Sequence, residues 1–294
     1  MTHSAGSGHA ADFDAYWRET LAELAGTATE ADVEPIPLRS SETATTYGVH
    51  LTSIGPYRLF AYLSVPNGEP PFPAVFHLPK YASVVNPFPQ GESNGNRGDS
   101  VAFSLGARGM RNADKPFVAQ FPGLLTEGID DPAAYVFRGI VADCVRGVEY
   151  LAGRPEIDGT RIAAVGGDYA LMAASLTKAI THVVCTPQLF LDTLTTARAT
   201  TAYPLEELND YLRLYPKKAG AVARTLSYFD LRGFAPSVKA TTLLIGGSPA
   251  EALDRATLQP VIGGLGGEVT FYETAHSGYT DGRYVREWLA GQLA

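Results

Sequence analysis

The residue types best suited to chemistry in this sequence are a carboxylate and an imidazole, each placed after an apolar run. Asp168 stands at the apex of RIAAVGGDYALMAAS, residues 161–175, a pattern of buried strand, glycine turn and helix. Gly166 and Gly167 let the turn approach other groups closely, and the positive end of the following helix dipole favours an anion at the apex. His276 lies in FYETAHSG, after a later strand-like run. A carboxylate and an imidazole that share a partly apolar cleft perturb each other's pKa values, the usual mark of acid/base machinery. Such a pair has two reactions open to it. The carboxylate attacks an sp³ carbon and leaves an ester that histidine-activated water hydrolyses, or the two groups move protons in an elimination, isomerisation or cyclisation. Tyr169 beside the apex, and Lys80 and Tyr81 after an earlier strand, are candidate oxyanion or substrate-binding residues. A third reading makes Asp168 structural, a cap on the helix that follows, where Asp is among the favoured residues. No serine stands at the turn, since Ser175 lies well inside the helix and Ser248 and Ser277 fall on other loops.

The elements that must position these groups alternate along the chain. Phe13, Trp17, Leu21 and Leu24 recur at spacings of three and four, which predicts an amphipathic helix over residues 11–25. TYGVHLTSIG and YRLFAYLSVP alternate polar and apolar residues about Gly55-Pro56 and read as a hairpin leading into the strand PAVFHL. Residues 79–98, polar and rich in Pro and Gly, are too long for an ordinary connection and read as a loop that shapes the site. The strand SVAFSL, the helix in YVFRGIVADCVRGVEYLAG, the strand IAAVGG and the helix YALMAASLTKA then alternate, which predicts right-handed crossovers and a mostly parallel sheet. THVVCT, TTLLIGG and GEVTFYET follow as strands, and REWLAGQL as the last helix. In an open sheet of this kind ligands sit beyond the carboxyl ends of the strands. That edge carries residues 78–81, Asp168, Tyr169, the loop after Ile245, and His276.

Composition narrows the function classes. The chain of 294 residues, 45% apolar, is long enough for one large α/β domain, and residues 1–294 are read as that single domain, with 1–10 a mobile tail and 79–98 and 187–225 loop and cap segments over the site. A net charge of -8, with Lys and Arg scattered, gives no attraction for nucleic acid or an anionic membrane. No apolar run is long enough to span a bilayer and the N-terminus lacks a signal pattern, so a cytoplasmic location is expected. Cys144 and Cys185 read as buried thiols, and no histidine is spaced with carboxylates as a metal site. Neither a metal nor a cofactor is expected.

FPGLLTEGIDDPAAYVFRGIVADCVRGVEYLAGRPEIDGTRIAAVGG, together with FDAYWRETLAEL, AYPLEELNDYLR, LSYFDLRGFAPSVKATTLLIGG and FYETAHSG, resembles the acetyl xylan esterase and cephalosporin C deacetylase family of α/β hydrolases. GIDDPAAYVFRG followed by the D-x-x-R-G-V-E-Y-L helix is the most specific part. The resemblance implies an α/β-hydrolase fold, deacetylation of small acetylated sugars or related esters, and ring-shaped homo-oligomers. It also implies that Tyr135, Arg138, Asp143 and Arg146 are packing and ion-pair residues. The departures fall at the catalytic positions. Where the family has Gly-Gly-Ser-Gln-Gly-Gly, Gly166-Gly-Asp-Tyr-Ala-Leu171 puts Asp168 for serine and Tyr169 for glutamine. Where it has His-Gly-Tyr, His77-Leu-Pro-Lys-Tyr81 puts Pro79, which has no N–H, on the second oxyanion donor. Gly246-Gly-Ser-Pro249 stands in the acid loop, leaving Glu251 or Asp254 as the third-member candidates, and His276 is retained.

These readings converge on an α/β-hydrolase fold, a mostly parallel central sheet flanked by helices with an N-terminal helix and an antiparallel hairpin. The leading expectation is an enzyme on a small organic substrate, in specialised metabolism, working through Asp168 and His276 without a serine acyl-enzyme. Ester hydrolysis or deacetylation of small acetylated compounds, and a catalytically inactive binding or scaffold role, are the alternatives.

Overall fold

In the computed structural model, which describes residues 9–88, 97–110, 118–247 and 253–294, the first helix forms where its apolar stripe finds aromatic partners. On α1 (Phe13–Ala25), Phe13 sits edge-on to Phe234 with ring centres 4.8 Å apart, and the Trp17 indole N–H donates to the Tyr228 carbonyl at 2.9 Å. Ala10 donates its N–H to the Ser227 carbonyl at 3.1 Å, so the end of the expected tail is tied to the body; residues 1–8 lie outside the described residues.

The chain continues through β1 (Asp32–Pro35), β2 (Ala44–Ser53), β3 (Tyr57–Pro66), β4 (Phe72–His77) and β5 (Val101–Gly106), then α2 (Val136–Ala152), β6 (Ile157–Gly166), α3 (Asp168–Leu176) and β7 (His182–Cys185). Four helices follow, α4 (Thr193–Arg198), α5 (Glu206–Leu214), α6 (Ala219–Ser227) and α7 (Leu231–Phe234), before β8 (Thr241–Gly246), α8 (Arg255–Ile262), β9 (Val269–Glu273) and α9 (Gly278–Leu293). All nine strands join one sheet in the order β1-β2-β3-β5-β4-β6-β7-β8-β9. β1, β2 and β3 pair antiparallel, β3 joins β5 antiparallel, and β4 through β9 run parallel. This is the expected α/β-hydrolase sheet, and Ser53 opposite Tyr57 is the expected hairpin turn.

Against one face, α2 is buried on nearly every side. Two glycines permit it, because a Cβ at Gly147 would stand 2.7 Å from the Phe76 ring and one at Gly139 2.4 Å from the Arg108 guanidinium. Asp143, fully buried, takes the Arg108 fork at 2.8 and 2.9 Å, and Arg146 donates to the Leu24 and Thr27 carbonyls. Arg138 reaches Thr20 and Glu23, and the Tyr135 hydroxyl donates to the Leu125 carbonyl at 2.9 Å. These four are indeed packing and ion-pair residues. The other face carries α9, whose Val285, Trp288 and Leu289 pack on Val184, Leu243 and Ile245. Among the described residues no helix is long and apolar enough to cross a membrane, and no group of three or more His, Cys, Asp or Glu is arranged to hold a metal ion. Both cysteines are buried free thiols.

Candidate active site

The carboxyl ends of β4, β6, β7, β8 and β9 lie on one edge of the sheet, as the parallel pairing requires. The turn after β6 brings Asp168 to that edge as the first residue of a regular helix. A nucleophile of this fold sits instead on a strained, sharp turn. Among the described non-glycine residues, positive φ occurs at Glu30, Ala82, Asp192 and His276, and Asp168 is not one of them.

The Asp168 side chain is buried, and it accepts N–H bonds from the loop that follows β7: Gln188 at 3.2 and 3.3 Å, Leu189 at 3.1 Å and Phe190 at 3.2 Å. Burial raises its pKa, and the amides of Phe190, Leu189 and Gln188 pull back against that rise. The loop it grips is itself anchored. The Leu231 N–H donates to the Phe190 carbonyl at 2.8 Å, and the Thr193 hydroxyl to the Leu189 carbonyl at 2.8 Å. Asp168 is therefore a clamp on a neighbouring loop, rather than a cap on its own helix or a group presented to substrate.

His276 has the opposite surroundings. Its residue is exposed, its φ is 55°, and among the described residues its ring makes no hydrogen bond. It lines a cavity of about 320 Å³ with Thr186, Pro187, Ile245, Gly246 and Thr274; Asp168 does not line it. Sequence reasoning missed the group that braces this histidine's loop. The Asp281 carboxylate accepts from the Tyr272 and Thr274 hydroxyls at 2.8 and 2.6 Å and from the Ala275 and Ser277 N–H groups at 2.8 and 3.2 Å. Burial pushes its pKa up, but the bonds from Thr274, Ala275, Tyr272 and Ser277 outweigh that and hold it at about 2. An acid in the first turn of the helix opened by the Ser277 cap was the available signal.

The remaining candidates separate from the pair. The Tyr169 ring is buried in the core, 6.2 Å from the Phe137 ring centre. The Tyr81 hydroxyl donates to the Glu207 carboxylate at 2.7 Å and accepts the Leu125 N–H at 3.0 Å, so it is already occupied. Glu207, half of the latch and also missed, is buried and takes the Leu125 N–H at 2.8 Å. Lys80 is exposed beside His77, whose pKa burial and the Lys80 charge hold at about 4. Asp254 caps α8, accepting the Thr257 N–H at 2.8 Å, and Glu251 lies outside the described residues. Among the described site candidates, His276 lines a cavity that could hold a small ligand. Among the described residues no hydrogen bond joins Asp168 and His276 as the expected acid/base pair: the Asp168 carboxylate is held by amides, and the His276 ring makes no hydrogen bond.

The family model for acetyl xylan esterases matches residues 2–252, most of the chain. The chain belongs to the acetyl xylan esterase family. A curated relative, the acetyl esterase Axe7A of Xylanibacter ruminicola, is 22% identical over 185 residues, 59% of this chain; those residues span 42% of the relative's length. Two solved structures match nearly end to end. The acetyl xylan esterase from Paenibacillus sp. R4 has a TM-score of 0.82 at 24% identity, covering 99% of this chain and 98% of its own. Acetyl xylan esterase 1 from Thermoanaerobacterium sp. JW/SL YS485 has a TM-score of 0.84 at 20% identity, covering 98% and 96%. They show the shared α/β-hydrolase fold. Within this esterase family, the chain has the shared sheet, and its Asp168 side chain is turned toward the amides of the loop after β7.

Proposed function

We propose that this protein binds a small acetylated compound, the ligand class of its esterase family, in the cavity beside His276 and does not turn it over through an acyl-enzyme. The observation that carries this reading is the Asp168 carboxylate, gripped by three backbone amides on an unstrained helical turn. A serine-type route needs a free nucleophile at that position and donors aimed at the oxyanion, each donor contributing about 3–4 kcal/mol. Pro79 offers no N–H, and the Tyr81 and Tyr169 side chains are committed elsewhere. The test is incubation with 4-nitrophenyl acetate and with a fluorophosphonate probe. The expected result is no burst and no covalent adduct, alongside saturable binding of an acetylated xylo-oligosaccharide that His276→Ala weakens. A burst, with an adduct mapped to any serine, would overturn it.

A second reading is direct ester hydrolysis by water that His276 deprotonates, and its ring at the cavity, with no hydrogen bond among the described residues, favours it. It predicts slow, strictly linear release of nitrophenol that His276→Ala abolishes. Binding without any such release leaves the first reading standing.

A further inference from the structure

The cavity beside His276 has two walls, each built on a loop that leaves a strand. One loop follows β7 and carries Thr186 and Pro187; the other follows β9 and carries Thr274 and His276. Between them β8 supplies the floor, with Ile245 and Gly246. Cys185 pairs with Leu244 and Leu244 with Phe271, so β7 and β9 stand two strand spacings apart, about 10 Å. A carboxylate that gathers backbone amides secures each wall. Asp281 does this for the histidine loop, and Asp168 for the loop after β7, through Gln188, Leu189 and Phe190. Thr186 is fixed from its other side as well: its N–H donates to the Gly166 carbonyl at 3.0 Å, one step past the pairing of Gly166 with Cys185. Its backbone is thus held between a strand end and the Asp168 clamp.

The hydrogen-bonding groups of the two walls are not equally open to a ligand. The Thr274 hydroxyl donates to Asp281 at 2.6 Å and accepts the His276 N–H at 3.0 Å, and the Asp281 carboxylate takes its bonds from its own loop and from Tyr272. Among the described residues the Thr186 hydroxyl makes no hydrogen bond, and it lines the cavity opposite the histidine loop. The described lining includes Asp281 and no Lys or Arg, which favours a neutral ligand over an anion. Ile245 and Val285 add apolar surface within the space of about 320 Å³. A hydroxyl donor above a small apolar floor suits a carbonyl that bears a short apolar substituent.

Resting on the reading that an acetylated compound binds beside His276, we propose that Thr186 is the residue that recognises its acyl group. The Thr186 hydroxyl donates to the acetyl carbonyl oxygen across the cavity from His276, while the acetyl methyl rests on Ile245 and Val285. The test is calorimetric titration of the full chain with an acetylated xylo-oligosaccharide and with the same oligosaccharide after chemical deacetylation. The wild type is expected to prefer the acetylated form. Thr186→Val, which keeps the shape of the side chain, is expected to weaken the acetylated form about five-fold, the worth of one neutral hydrogen bond, and to leave the deacetylated form unchanged. It is also expected to melt as the wild type does, since the hydroxyl has no hydrogen bond to lose among the described residues. Thr186→Ser returns the hydroxyl and is expected to recover the preference. A wild type that binds without preference, undiminished preference in Thr186→Val, or an equal loss for both forms would each overturn the proposal; if His276→Ala still weakens binding, the reading of the cavity survives. Absence of binding by the wild type would overturn both.

Discussion

Replacing Asp168 by alanine tests whether its carboxylate holds the fold or awaits a substrate. Three N–H groups depend on it at 3.1–3.3 Å, buried at Leu189 and Phe190 and part-buried at Gln188. Leaving a buried donor unsatisfied costs about 1–3 kcal/mol, so the two buried ones together would cost about 2–6 kcal/mol. Removing the carboxylate also removes its own desolvation penalty, which brings the net loss to about 3–5 kcal/mol, the range for breaking a buried charged interaction. At this chain length that corresponds to a fall in melting temperature of about 2 °C per kcal/mol. Asp168→Asn keeps one acceptor oxygen but turns an NH2 toward a donor, and about 2 kcal/mol is expected. The sign with pH follows from the raised pKa: the folded state holds the proton more tightly than the unfolded one, so this group's contribution falls as pH rises above the unfolded value. Relative to Asp168→Asn, the wild type should therefore be more stable at pH 4 than its margin at pH 7 suggests. Urea melts of the three proteins at both pH values decide the matter. Equal midpoints for wild type and Asp168→Ala would refute the clamp and return Asp168 to the list of candidate reacting groups.

Further expectations concern the supports of the site. Asp281 is held at about 2, below the 3.8 of a free carboxyl, so its contribution is present above pH 4 and is lost as pH falls toward 2; after solvent screening it is about 1 kcal/mol or less. Urea melts at pH 3 and pH 6 should accordingly show a smaller difference in Asp281→Asn than in the wild type. Gly123→Ala would put a Cβ 2.2 Å from the Glu207 carboxyl carbon, displacing the acceptor of both Tyr81 and Leu125, with an expected loss of about 2–4 kcal/mol in thermal unfolding. Arg108→Lys replaces a fork that meets Asp143 at two oxygens with a point charge, and a loss of about 2–3 kcal/mol is expected in the same assay.

What could be read from the residues, and what could not, follows from the range of the forces involved. α1 and the β2/β3 hairpin were legible because burial imposes a period on the sequence, 3.6 in one and 2 in the other. β1 was not, since Asp32–Pro35 is exposed along its whole length and carries no buried face to pattern it. The last helix was placed too late, because Gly278–Gly282 offers only Tyr279 as a large apolar residue and its start is set by the Ser277 cap. Within the site, the histidine loop was found from its position after a strand. The heading of the Asp168 side chain was not, because it is decided by amides of residues 188–190, and a backbone N–H leaves no mark in the identity of the residue that bears it. The Tyr81–Glu207 latch was hidden likewise, joining positions 126 apart in the chain.

The helical backbone at residue 168 also bears on what a serine introduced there could do. A hydroxyl placed there would stand on a main chain already curled into α3, beside the amides of residues 188–190. Presenting it as a nucleophile would need the turn itself rebuilt, a second alteration with no benefit until the first is in place.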